Sequence, residues 1–198
     1  SSRNVGKLLV QGLHKMEYRG YDSAGIALHQ KDSIFNLRTL GKVKLLEDGM
    51  IQERPKSKLG IAHTRWATHG KPSQENAHPH ASSDEIHIVH NGIIENYLEL
   101  REQLTVSGYE FTSETDSEVI AHLLHQHFKV SGNLLDAMHA AIKELDGAYA
   151  IAAIHVDDKN RLIVARNKSP LLIGVGIEEN FAASDPLALS QLTNQFVF

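Results

Sequence analysis

Cysteine is absent from the 198 residues. Its absence excludes disulfides, thiolate metal sites and a cysteine nucleophile within this stretch. Long apolar runs are missing too: no segment approaches the ~18 consecutive apolar positions needed to cross a bilayer. Ser1-Ser2-Arg3-Asn4 leads into an amphipathic pattern rather than the apolar block of a signal peptide. These absences predict a soluble, cytoplasmic protein with no membrane partner. Positive charge is not in excess, with 20 Lys and Arg against 24 Asp and Glu for a formal net charge of −4. No basic field is available to recruit a phosphate backbone, so nucleic acid is excluded as a partner. No repeat, low-complexity tract or linker divides the chain, and its length and 41% hydrophobic content suit a single domain over residues 1–198.

Apolar spacing defines the elements. Val5, Leu8, Leu9, Leu13 and Met16 share one helical face, with Asn4 placed to cap it and Arg19-Gly20 to end it. Residues 23–29 and 34–40 read as a β-hairpin around Gln30-Lys31-Asp32-Ser33. Residues 59–67 and 86–90 read as further strands, joined by a polar stretch from Gly70 to Glu85 that holds Pro72 and Pro79 and is expected to be a surface loop. A helix is expected after Asn91-Gly92, with Ile94, Leu98 and Leu104 on one side and Gly108 at its end. Thr115 and Glu118 have capping-box spacing for a second helix, and a third is expected over 134–145. Strands then return at 149–156, 162–165, 171–175 and 181–182. Strands, helices and strands again, behind a leading helix, indicate an α+β layered fold rather than a doubly wound sheet.

Three clusters stand at the ends of apolar strands, where a sheet can hold functional groups in place. They are Arg19-Gly20-Tyr21-Asp22-Ser23-Ala24-Gly25, His63-Thr64-Arg65-Trp66-Ala67-Thr68-His69-Gly70 and His90-Asn91-Gly92-Ile93-Ile94-Glu95-Asn96. Together with Asn76-Ala77-His78-Pro79-His80, Ser113-Glu114-Thr115-Asp116-Ser117-Glu118, Ser169-Pro170-Leu171 and Ala183-Ser184-Asp185, they resemble the class II glutamine amidotransferases, in the branch that makes amino sugars. The likeness runs essentially from end to end. It implies an N-terminal-nucleophile hydrolase, a four-layer αββα sandwich of two stacked, mainly antiparallel sheets between helices.

The implied chemistry is hydrolysis of L-glutamine to glutamate and ammonia, without a cofactor. The ammonia would pass to fructose 6-phosphate in a synthase/isomerase domain of the same polypeptide, which usually pairs subunits into homodimers. In the family the nucleophile is a cysteine that opens an apolar, glycine-containing strand, with its own α-amine as base. This chain opens at its first helix and is expected to lack that strand and nucleophile. Ser1, close to the cap at Asn4, would be many ångströms from the nucleophile's position.

The remaining roles follow from the resemblance, each beside a plainer alternative. Asn91 and Gly92 would supply a side-chain and a backbone N–H to the tetrahedral oxyanion, although Asn-Gly is also the strongest hairpin-turn signal. Arg65 would grip the glutamine α-carboxylate as a bidentate pair, or be a surface cation in an ordinary salt bridge. Asp116 would accept from the α-ammonium, or cap a helix start. Thr68, His69 and Trp66 would line the same pocket, Trp66 otherwise being core. Arg19 would pack near the nucleophile, or complement the dipole at the end of the first helix. Two other classes compete. One is a binding module that holds glutamine without cleaving it. The other is a metal site built from His78 and His80, or from His122, His125 and His127, of which only His122 and His125 have the spacing of one helical face. Metal is not the expected use of these histidines.

Overall fold

The structure is a computed structural model and describes residues 3–66 and 71–198. Helix α1 (Val5–Met16) starts where expected, with the Asn4 side chain accepting from the Lys7 N–H at 3.3 Å. That bond satisfies one of the amide donors a helix start leaves over. A 3-10 turn, Glu17–Arg19, then ends the helix at Gly20.

Strands β1 (Ser23–His29) and β2 (Ile34–Leu40) form the expected hairpin, in register from Ser23↔Leu40 to His29↔Ile34. Helix α2 (Val43–Glu53) follows, in a segment for which the sequence predicts no element. Strand β3 (Gly60–Arg65) then returns along the other side of β1, so the sheet runs β2-β1-β3. Val10, Leu13, Ile26, Leu28, Val43 and Leu46 are the core between this sheet and its two helices.

The second sheet runs β4-β5-β6-β7, from β4 (His80–Ser82), β5 (Ile86–Ile94), β6 (Gly147–His155) and β7 (Ile163–Asn167). Helices α3 (Tyr97–Val106), α4 (Glu118–Ser131) and α5 (Leu134–Ala141) supply its cover. Ile88, Ile94, Val119, Leu123, Met138 and Ile151 are part of the core there, each such burial adding roughly 1.5–3 kcal/mol. A third cluster joins the two sheets: Ala27 and Ile61 from the first with Ile154 from the second, and Val89 and Ala152 packed against them. The result is helices, sheet, sheet, helices, the expected αββα order. A small third sheet, β10-β8-β9, comprises β8 (Leu172–Val175), β9 (Asn180–Ala183) and β10 (Phe196–Val197). No helix among the described residues is long and apolar enough to cross a membrane.

Four expectations about elements change. Strand β5 does not stop at His90 but runs through Asn91-Gly92 to Ile94, with Asn91↔Ala150 and Gly92↔Tyr149 in register, and the helix starts only at Tyr97. The stretch 70–85 is not a surface loop along its whole length, because Asn76, Ala77, His78, His80 and Ser82 are buried. Gly25 makes room for it: a Cβ there would collide with the His78 carbonyl oxygen. Glu118 forms no capping box with Thr115. Its carboxylate turns back to accept from the backbone N–H groups of Thr112 at 3.0 Å and Ser113 at 2.7 Å. The third helix ends at Ala141 rather than Leu145.

Candidate active site

The site begins with strand alternation. Side chains two apart on a strand share a face, so Ile61, His63 and Arg65 of β3 point the same way, as do Val89 and Asn91 of β5. Ile61 and Val89 belong to the cluster between the sheets. One step further along, that apolar layer becomes polar: His63 Nε2 lies 2.8 Å from Asn91 Oδ1. Another step brings Arg65, only 5% exposed.

Asp116 is 4% exposed and lies in the segment leading into α4. It is not the cap considered from sequence, since Ser117 holds that position. Its Oδ2 instead accepts from the Ile94 N–H at 2.8 Å, which ties the carboxylate to the end of β5, two residues past Gly92. Burial lowers the Arg65 guanidinium pKa, while Asp22 and Asp116 raise it. Arg65 is thus a buried cation facing carboxylates, not a surface arginine.

Gly92 has φ +133°, and a Cβ on it would collide with the Ala148 carbonyl oxygen. Only glycine fits there without strain. Arg19, Arg65, Trp66, Asn91, Gly92 and Asp116 all line one cavity of about 1290 Å³. That exceeds the roughly 300–1,000 Å³ of ordinary small-molecule pockets, so an amino acid would fill only part of it. Both β3 and β9, each the outermost strand of its sheet, contribute to the wall.

Trp66 is 58% exposed and meets Tyr21 edge-on at 6.0 Å between ring centroids. It is not core, so the plainer alternative for this residue fails. Arg19 stands both at the end of α1 and on the cavity, its Nη1 3.4 Å from Ser184 Oγ and 3.8 Å from Asp185 Oδ2. Thr68 and His69 lie outside the described residues.

Sequence reasoning did not foresee the row of imidazoles behind Asn91. The His63 and His78 ring centroids are 4.2 Å apart, those of His78 and His80 are 4.6 Å apart, and His80 Nε2 lies 3.1 Å from Thr115 Oγ1. His90, on the opposite face of β5, has Nδ1 2.8 Å from Ser117 Oγ. Burial is the main cause that lowers the pKa of each, His63 and His90 to about 4 and His78 well below the ordinary value. The rings are therefore neutral at pH 7. The one available signal was the position of His63 two residues before Arg65, on the same strand face.

The helical histidines are held by other partners. His122 Nδ1 lies 2.9 Å from Ser82 Oγ, His125 Nδ1 3.0 Å from Tyr109 Oη and His127 Nε2 2.6 Å from Glu144 Oε1. Among the described residues no group of three or more His, Cys, Asp or Glu is placed to hold a metal ion.

Residues 63–191 match the family model described as a glutamine amidotransferase domain. The chain belongs to that family. Over its whole length the amidotransferase chain is 52% identical to the glutamine–fructose-6-phosphate aminotransferase (isomerizing) of Acinetobacter baylyi, covering 32% of that protein. It is also 52% identical to the enzyme of that name from Pseudomonas aeruginosa, covering 33% of it. The chain thus spans about a third of the length of these curated relatives. Among solved structures, a glutamine phosphoribosylpyrophosphate amidotransferase from B. subtilis, complexed with ADP and GMP, matches with a TM-score of 0.81 at 27% identity, over 97% of this chain and 42% of that one. The amidotransferase fold expected from the motifs is the fold observed.

Proposed function

We propose that residues 1–198 are the glutaminase domain of a longer synthase. It hydrolyses L-glutamine to glutamate and ammonia, and the ammonia is used to aminate fructose 6-phosphate in a synthase/isomerase domain through which two subunits pair. The observation that carries this reading is the meeting of Arg65, Asp116, Asn91 and Gly92 on one cavity. Free glutamine is a zwitterion, and a buried guanidinium with a buried carboxylate is the complement of its two charged ends. Holding both ends fixes how far the side-chain amide reaches into the cavity, which disfavours the shorter asparagine.

Arg65 takes the carboxylate through its planar fork, and Asp116 accepts from the ammonium with the lone pairs not used on Ile94. Attack on the amide carbon makes a negatively charged oxygen. The Asn91 side-chain N–H and the Gly92 backbone N–H are the donors for it, each worth roughly 3–4 kcal/mol where such donors have been removed. Trp66, on the cavity wall, offers a broad amphipathic ring to close over the substrate, and Arg19 supports the nucleophile. These 198 residues contain no cysteine, so the attacking thiol is contributed by residues of the longer protein. The 52% identity to two aminotransferases acting with glutamine and fructose 6-phosphate supports the assignment of donor and acceptor.

The test is glutamate release from glutamine by the full-length protein. Asn91→Ala should lower kcat on the order of 10²–10³-fold with little change in KM, because its donor matters most as charge develops. A variant that keeps full kcat removes Asn91 from the oxyanion role. A second reading, binding without cleavage, is favoured only by the missing cysteine. It predicts that the natural protein binds glutamine yet releases no glutamate, and that its intact mass places Ser1 at the N-terminus.

A further inference from the structure

We infer that His63 is a positioning residue that fixes which end of the Asn91 amide faces the cavity. The inference rests on the oxyanion role proposed for Asn91 and adds a residue to it.

A carboxamide has a donor end and an acceptor end, and turning it over would exchange a hydrogen bond to the oxyanion for a repulsion. Something must hold it. Backbone pairing of β5 with β6 fixes the Asn91 Cα opposite Ala150 but leaves the amide free to rotate. The group that meets the amide is His63, with Nε2 2.8 Å from Oδ1. An amide oxygen has only lone pairs to offer, so the nitrogen facing it must carry the proton. A neutral His63 protonated on Nε2 therefore holds Oδ1 and leaves the NH₂ end directed elsewhere, available to a developing alkoxide. The other tautomer would offer a lone pair at Nε2 and favour the reversed amide.

The ring is itself held. It packs 4.2 Å from the His78 ring, which packs 4.6 Å from His80, whose Nε2 lies 3.1 Å from Thr115 Oγ1. The His63 Nδ1 is shielded from solvent and has no hydrogen-bond partner among the described residues. Among the described residues a proton placed there meets no acceptor, whereas a proton on Nε2 is taken up by Asn91 Oδ1. Burial keeps the ring neutral, with its pKa near 4, so it does not switch to a cation near neutral pH. Because His63 and Arg65 project from the same face of β3, the strand that would grip the glutamine carboxylate also aims the donor at the reacting amide.

The experiment uses the full-length protein and steady-state glutamine hydrolysis, with Tm recorded for each variant. His63→Leu keeps bulk but cannot donate. It should lower kcat on the order of 10–100-fold with KM within about twofold. His63→Gln, which restores an N–H at similar reach, should recover most of the loss. His63→Leu combined with Asn91→Ala should lower kcat no further than Asn91→Ala alone. In the unmutated protein the imidazole ¹⁵N shifts should report a proton on Nε2 of His63, a measurement that does not depend on any variant folding. A proton on Nδ1, full kcat in His63→Leu, equal losses in the Leu and Gln variants, or multiplying losses in the double variant would each overturn the inference. If Asn91→Ala loses turnover and His63→Leu does not, only the role of His63 falls. If Asn91→Ala keeps its turnover, the oxyanion assignment falls with it.

Discussion

Arg65 and Asp116 carry opposite charges into a place where water is nearly excluded. Such charges are costly unless a partner or ligand compensates them. Asp22 and Asp116 both act on Arg65 electrostatically, and a zwitterion seated between cation and carboxylate would add to that balance. Arg65→Lys keeps the charge but not the planar fork. In the full-length protein it should raise KM for glutamine on the order of 10-fold with a smaller effect on kcat. Unchanged KM would remove Arg65 from carboxylate recognition. At this scale the resemblance to family motifs singles out Arg65, Asn91, Gly92 and Asp116, and the fold brings the four to the wall of one cavity. The sequence is least legible where a contact spans the two sheets. The approach of His63 to Asn91 joins positions 28 apart in the chain, and only the strand face that His63 shares with Arg65 hints at it. Asp116 shows the same limit, because its partner is the Ile94 amide and not its own helix.

Elements were legible where periodicity was clean and opaque where turn chemistry misled. The β1–β2 hairpin has the expected boundaries because the polar 30–33 segment interrupts two apolar runs. The Asn91-Gly92 pair looked like a stop. Yet Gly92, at φ +133°, lets β5 bend past Ala148 and keep its pairing with β6 to the end. Helix α2 leaves no clear stripe in the sequence, because only Val43 and Leu46 of it are fully buried. The buried course of 76–82 was hidden as well, since it depends on a glycine in another strand. Gly25→Ala would place a methyl group against the His78 carbonyl oxygen and push the buried segment off β1. Overpacking of this kind typically costs about 1–3 kcal/mol, so Tm should fall measurably in a thermal melt. An unchanged Tm would show that this approach is not tight.

Across the whole molecule, the layers enclose histidines that stay neutral. His63, His78, His80, His87 and His90 all have pKa values lowered chiefly by burial. Glu118 beside His80, Asp116 beside His90 and Asp84 beside His87 oppose the effect without cancelling it. Each folded value lies below the ordinary value of about 6.5. Between the two values the unfolded chain binds protons that the folded chain does not. Stability should therefore be full above about pH 6.5 and decline as pH falls toward 4, by up to about 1.4 kcal/mol per pH unit for each histidine that remains neutral. Urea unfolding at pH 7 and pH 5 checks this, and equal stabilities at the two would contradict it.

The same layers leave a cavity whose lining includes Trp66, the single tryptophan of the 198 residues, largely exposed and touching Tyr21 by its edge. Fluorescence from this chain excited in the indole band therefore originates from one ring, at the place where ligand arrival would change the local polarity. The chain carries its own optical reporter of occupancy, with no dye to attach and no background from a second indole to subtract.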